Sequence, residues 1–179
     1  GRPEHLRDAC EGSLRRLKLE QIPLYQMHRP DPKVPYAESI GTLVELKKEG
    51  KIRHIGVSNV SEAQLREAQS LTPVVSVQNR YNVSDRSSES MVDLCDQEGL
   101  VFLPWAPIQE ADKLAPVLSA ASIHGVSTRQ VVLAWMLARS SQILPIPGTG
   151  SPGHLEENVA AASIQLSNHE ITTLLEVGG

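Results

Sequence analysis

A parallel α/β fold, and within that class a (β/α)8 barrel of the TIM type, is the architecture this sequence predicts, on three observations. Short apolar stretches alternate with helical patterns along the whole chain. That alternation demands a parallel sheet covered by helices and joined by right-handed crossovers. Polar residues recur at one place, the C-terminal end of each short stretch: His28, Ser58 and Asn59, Gln78 and Asn79, Trp105, then residues 148–151. In a barrel that end carries the active site, with phosphate after the last two strands. A doubly wound sheet would instead place G-x-G-x-x-G after its first strand, and no such motif follows residues 22–27; the pattern occurs only at Gly148–Gly153, after the last short apolar stretch.

Each element has its own justification. Residues 3–19 carry Leu6, Cys10, Leu14 and Leu17 at intervals of three and four, the spacing of one helix face. Residues 22–27 predict a strand, stopped at His28-Arg29-Pro30-Asp31-Pro32 by two prolines. Residues 36–50 predict a helix with Ile40, Leu43 and Val44 inward and Gly50 as its C-cap. A second strand, 53–57, runs into Ser58-Asn59. Ser61 and Gln64 form a capping box that opens a helix to residue 70. Residues 74–78 make a third strand, and a loop, 79–84, leads to a helix at 89–98 closed by Gly99. A fourth strand, 100–103, precedes helices at 115–124 and 128–139, the second opened by another box at Ser127.

The fifth strand, 143–146, passes through Gly148-Thr149-Gly150 into a helix with Ser151 at the cap and Pro152 at the first position. Proline is tolerated there because its missing N–H would have no helical partner anyway. Glycines admit close backbone approach, and a helix start offers N–H groups and the positive end of a dipole. The stretch is therefore a phosphate candidate. A box at Ser167 and Glu170 starts a last helix to residue 177.

With 179 residues, 40% of them hydrophobic, the chain suffices for a single domain, 1–179, with a proper core. A net charge of −4 without a basic run gives a nucleic-acid partner no electrostatic support. No apolar run reaches membrane-spanning length, and the first residues lack a signal-peptide core. Cys10 and Cys95 sit beside apolar neighbours in helical patterns, as buried thiols of a reducing compartment do. The expected location is the cytoplasm, with no metal, nucleic-acid or membrane partner; the oligomeric state is open.

Four blocks in order carry a family likeness: His28 after Leu-Tyr-Gln-Met, Ile-Arg-His-Ile-Gly-Val-Ser-Asn at 52–59, Val-Gln-Asn-Arg-Tyr-Asn at 77–82, and Ile-Pro-Gly-Thr at 146–149 with Glu-Glu-Asn at 156–158. Together they resemble the aldo-keto reductase superfamily, whose (β/α)8 barrels use NADPH to reduce aldehydes and ketones without a metal. The resemblance covers the family's second half, from the helix before the fourth strand to near the C-terminus. It implies an incomplete barrel of five parallel strands and a longer parent protein. Of the family's catalytic Asp, Tyr, Lys and His, only the last has a counterpart, His28. Tyr25, Tyr36 and Tyr81 do not match the catalytic tyrosine, so the isolated chain is expected to be inactive.

The same resemblance implies that Ser58, Asn59 and Gln78 hold the nicotinamide carboxamide and that Trp105 stacks on the ring. It puts Pro107 and Ile108 in a loop over the pyrophosphate, and Glu157 and Asn158 at the adenine. Gly148 and His154 stand where the family often has Lys and Arg for the 2′-phosphate, with Thr149, Gly150 and Ser151 as remaining donors. NADP is thus the implied cofactor, NAD a possible one, and a small carbonyl compound the substrate. The rival expectation is a non-catalytic NADPH-binding relative serving as a sensor or regulatory subunit, as the potassium-channel β-subunits are thought to do. Trp135, in mid-helix, reads as a core residue.

Overall fold

In the computed structural model, which describes residues 1–177, the chain divides after Gln78 into two compact units. The first contains α1 (Pro3–Leu17), β1 (Ile22–Met27), α2 (Tyr36–Lys48), β2 (Ile52–Ser58), α3 (Glu62–Leu71) and β3 (Val74–Gln78). β1 pairs with β2 and β2 with β3, all parallel. The register, Met27 opposite Val57 and Ser58 opposite Gln78, makes the three strands end nearly level. His28 and Asn59 follow immediately.

Packing in this unit follows the apolar periodicity. Ile40, Leu43 and Leu46 of α2, Leu65 and Ala68 of α3, and Ile52, Ile55 and Val57 of β2 are completely buried. Each such Leu, Ile or Val side chain contributes about 1.5–3 kcal/mol relative to exposure. Two expectations are corrected. Leu17 is 57% exposed, because Lys18 adopts a left-handed conformation (φ 56°) and its N–H turns back to the Arg15 and Leu14 carbonyls. α1 thus ends before a further turn can bring Leu17 inward. Nor is β1 covered on both faces, as a helix-covered parallel sheet would have it: Leu24 is 40% exposed.

Gly56 is the tightest point of the sheet. It lies opposite Gln26 on one side and Ser76 on the other, and Gln26 Nε2 donates to Ser76 Oγ at 3.0 Å across it. A Cβ at this position would sit 2.7 Å from Gln26 Cγ and closer still to Ser76 Oγ. Gly56→Ala is therefore expected to destabilise the protein by about 1–3 kcal/mol, the usual cost of overpacking. Urea unfolding measures this, and a loss below 0.5 kcal/mol, within the scatter of about ±0.5 for a neutral surface change, would contradict the close approach.

The second unit contains α4 (Glu89–Glu98), β4 (Val101–Phe102), α5 (Ala115–His124), α6 (Thr128–Arg139), α7 (Pro152–Ala160) and α8 (Asn168–Glu176), with 3-10 turns at Ala111–Lys113 and Ala161–Ser163. Its core gathers Tyr81, Phe102, Val117, Val131, Val132, Trp135 and Met136, all fully buried. Trp135 is a core residue as expected.

The described residues hold four strands, not five. Residues 143–146 make one parallel bridge, Phe102 to Ile143, with Phe102 N–H donating to the Gln142 carbonyl and Leu144 N–H to the Phe102 carbonyl, at 2.8 and 2.9 Å. The cause is covalent. Donors alternate sides along a strand; of the N–H groups that would point away from Phe102, Pro145 and Pro147 remove two, and that of Ile143 turns back to the Ser140 carbonyl at 3.2 Å. Leu144 and Ile146 are consequently exposed.

Candidate cofactor and carbonyl site

The residues that follow the level strand ends of the first unit are locked by one another. Ser58 Oγ donates to the Gln78 carbonyl at 2.6 Å, and the Asn59 N–H donates to the same oxygen at 3.0 Å. Asn59 is left-handed (φ 57°), a conformation asparagine tolerates better than most residues. Its side-chain amide donates to the His28 carbonyl at 2.9 Å and to Ser58 Oγ at 3.1 Å. Both hydrogens of the Asn59 amide are thus engaged within the cluster. Ser58 is buried and serves as the brace, while Asn59 and His28 are exposed and Gln78 half-buried. His28 lines a recess of about 720 Å³ with Met27, Arg29 and Asp31. The structure thus brings His28, Ser58, Asn59 and Gln78 together.

Trp105, Pro107 and Ile108 belong to the second unit. The Trp105 backbone is fixed by its N–H to the Asn79 carbonyl, 3.1 Å, and by a parallel bridge to Arg80. The Arg80 guanidinium carbon lies 5.5 Å from the indole centroid, a cation–π distance. Arg80 also pairs with Asp85 at 2.9 Å. After Trp105 the chain turns sharply: Ala106 and Glu110 are left-handed, at φ 53° and 60°, and Asn82 Nδ2 donates to the Ala106 carbonyl at 3.1 Å. Such backbone, costly for a residue with a side chain, sets the path of Pro107 and Ile108.

Two recesses accompany this turn. One, of about 460 Å³, is lined by Ile108, Asp112, Ser127, Arg129, His154 and Glu157 among others. The other, of about 130 Å³, is lined by Ile108, Arg129, Gly148, Thr149, His154 and Asn158. Gly148, Thr149, His154, Glu157 and Asn158 are thereby brought together, whereas Gly150 and Ser151 line neither. Ser151 instead caps α7, accepting the His154 N–H at 3.4 Å, and its own N–H donates to Thr149 Oγ1 at 3.1 Å. Arg129, absent from the residues expected from sequence, lines both recesses.

The electrostatics of the tyrosines and thiols point away from chemistry of their own. Burial pushes the Tyr36 and Tyr81 phenols well up, and that of Tyr25 less far. Burial also raises the Cys95 thiol to about 12 and Cys10 more modestly, so neither is a ready thiolate. No helix is long and apolar enough to cross a membrane among the described residues.

Comparison with known proteins adds an independent line. The model of the Aldo/keto reductase family matches residues 1–111 and 108–178. An uncharacterized oxidoreductase of Schizosaccharomyces pombe is 45% identical over 181 residues, covering 99% of this chain and 59% of the relative. A thermostable aldo-keto reductase solved with the inhibitor epalrestat is 32% identical, with a TM-score of 0.90 over 99% of this chain and 67% of its own. An aldo/keto reductase from Klebsiella pneumoniae, solved with NADP and acetate, is 28% identical, with a TM-score of 0.85 over 97% and 64%. The chain spans 59–63% of the length of the curated relatives it matches.

Proposed function

The chain belongs to the aldo/keto reductase family, and from that premise we propose that it supplies the cofactor-holding residues and His28 of an NADPH-dependent reductase of aldehydes and ketones. One observation carries the reading: the mutually braced strand ends that bear His28, Ser58, Asn59 and Gln78. Rigid polar groups on strand ends are what precise orientation of a cofactor requires. The set fits a nicotinamide carboxamide, because the Gln78 side-chain amide brings both donors and an acceptor on backbone that Ser58 and Asn59 hold in place. The NADP complex of the Klebsiella relative supports the choice of dinucleotide. NAD is the second candidate.

NADPH, when bound, supplies a hydride to the carbonyl carbon. The Asn59 and Gln78 side chains would fix the carboxamide, and Trp105 would offer its flat face to the ring. His28 would donate a hydrogen bond to the carbonyl oxygen as negative charge grows there, which a neutral imidazole can do. The oxygen must then receive a proton. By the family resemblance that proton comes from a tyrosine outside residues 1–179, so this chain alone is expected to bind without turning over. Buried, protonated thiols support a reducing compartment, and we read the location as cytoplasmic.

Titration with NADPH and, in parallel, NADH tests the reading through tryptophan fluorescence. Trp135 is fully buried and Trp105 half-buried, so saturable quenching by NADPH is expected to disappear in Trp105→Phe. Absence of binding by either dinucleotide, confirmed by calorimetry, would overturn the reading. Binding by a complete protein that reduces no aldehyde or ketone would favour the sensor alternative.

A further inference from the structure

The charge for the 2′-phosphate has a source that the sequence motif does not contain. We propose that Arg129 is the residue that selects NADP over NAD, by pairing its guanidinium with the 2′-phosphate in the 130 Å³ recess; this rests on the dinucleotide reading above. The backbone at the start of α7 offers a phosphate the Gly153 N–H and no full charge. Pro152 has no N–H, the His154 N–H is taken by Ser151 Oγ, and the Leu155 N–H donates to the Ser151 carbonyl at 3.1 Å. Gly148 brings no side chain, and a neutral His154 brings a single donor. A dianionic phosphate needs charge-assisted partners to be told from a hydroxyl.

Arg129 meets that need in three respects. It is the second residue of α6, whose start is held by the reciprocal Ser127–Gln130 capping box, so its Cα is fixed. Its guanidinium makes no hydrogen bond or ion pair among the described residues, a state it shares with Arg2, Arg15, Arg29 and Arg53, but among the arginines it alone lines these two recesses. And the two recesses it borders differ in charge. The larger includes Asp112 and Glu157, which repel phosphate and suit an exocyclic amine, while the smaller contains no carboxylate. A guanidinium at the boundary has an anion's place on one side only.

The test uses two fragments that differ by that phosphate alone, adenosine 2′,5′-bisphosphate and adenosine 5′-monophosphate, titrated calorimetrically into the whole chain. The wild type is expected to prefer the bisphosphate. Arg129→Gln should reduce that preference by a factor on the order of ten to a hundred, the scale of a charge-assisted hydrogen bond, and Arg129→Lys should restore part of it. Arg129 is exposed, so the variants should fold, and unchanged circular dichroism checks this. A preference unaltered by Arg129→Gln, or equal losses for both fragments as adenine stacking would give, overturns the proposal. So does a wild type without preference. If NADPH still binds and quenches Trp105 in any of those cases, the reductase reading stands; if no nucleotide binds at all, both fall.

Discussion

Replacing His28 by alanine in a full-length protein that carries this chain is expected to lower turnover on a carbonyl substrate about a hundredfold, the cost of removing one donor from a developing oxyanion. The NADPH dissociation constant should change by less than about twofold, well under the 1.4 kcal/mol that a tenfold change requires. The asymmetry follows from how His28 is held. What ties residue 28 to the strand-end cluster is its backbone carbonyl, which accepts from Asn59 at 2.9 Å, and alanine keeps that bond. The imidazole is exposed on its recess and makes no hydrogen bond among the described residues. Deleting it removes a donor for substrate without loosening Asn59 or Ser58. His28→Gln, which retains an N–H donor, should recover part of the loss. Steady-state kinetics beside fluorescence titration would decide: equal losses in turnover and NADPH affinity would mean that His28 serves the cofactor and not the carbonyl.

The parts of the molecule legible in the sequence are those decided within a few residues. All three predicted capping boxes form with both reciprocal hydrogen bonds, at Ser61, Ser127 and Ser167. β1, β3, α4, α5 and α6 have their predicted bounds. Gly99 closes α4 in a left-handed conformation. The structure departs from the sequence pattern where one local signal competes with another. Residues 143–146 are apolar enough for a strand, yet Pro145 and Pro147 withhold donors along one edge. Leu46 is fully buried although the expected inward set was Ile40, Leu43 and Val44, because α2 packs against α1, α3 and β2 and so buries a wider face. At the site, single residues at strand ends were readable, but their mutual bracing was not. The bond from Asn59 to the His28 carbonyl spans 31 positions and depends on the β1–β2 register. Arg129 is not legible for the same reason, since the recess beside it is assembled from residues 108, 148, 149, 154 and 158. The available hint was indirect: two cations missing from a phosphate motif require a third from elsewhere.

The largest effect on stability is expected at Arg86, a buried cation in the second unit. Its side chain is 9% exposed, and its guanidinium carbon lies 4.1 Å from the Trp135 ring centroid and 5.3 Å from that of Tyr81. The two rings stack on each other at 5.9 Å, and Phe102 meets Tyr81 edge-on at 5.8 Å. Arg86 donates to Tyr81 Oη at 2.7 Å, to Glu89 Oε2 at 3.0 Å and to the Leu174 carbonyl of α8 at 3.1 Å. Tyr81 donates to Glu89 Oε2 at 2.8 Å, and Arg139 holds the other oxygen at 2.8 Å. Removing Arg86 takes the cation off two ring faces, worth about 2 kcal/mol when desolvated, and leaves the Leu174 carbonyl without its donor, about 1–3 kcal/mol, while Glu89 keeps Tyr81 and Arg139; the total of about 3–5 kcal/mol is a large share of the stability of an ordinary domain. Arg86→Ala should therefore lower stability by that amount in urea unfolding. Arg86→Lys should lower it less, since an ammonium keeps the charge but cannot match the planar fork. The loss of the Leu174 contact should also speed hydrogen exchange in α8 more than in α5, because α8 is tied to the network through that carbonyl. A loss below 1 kcal/mol for Arg86→Ala, or exchange that rises equally in both helices, would show that aromatic packing carries the core and that the cation merely occupies it.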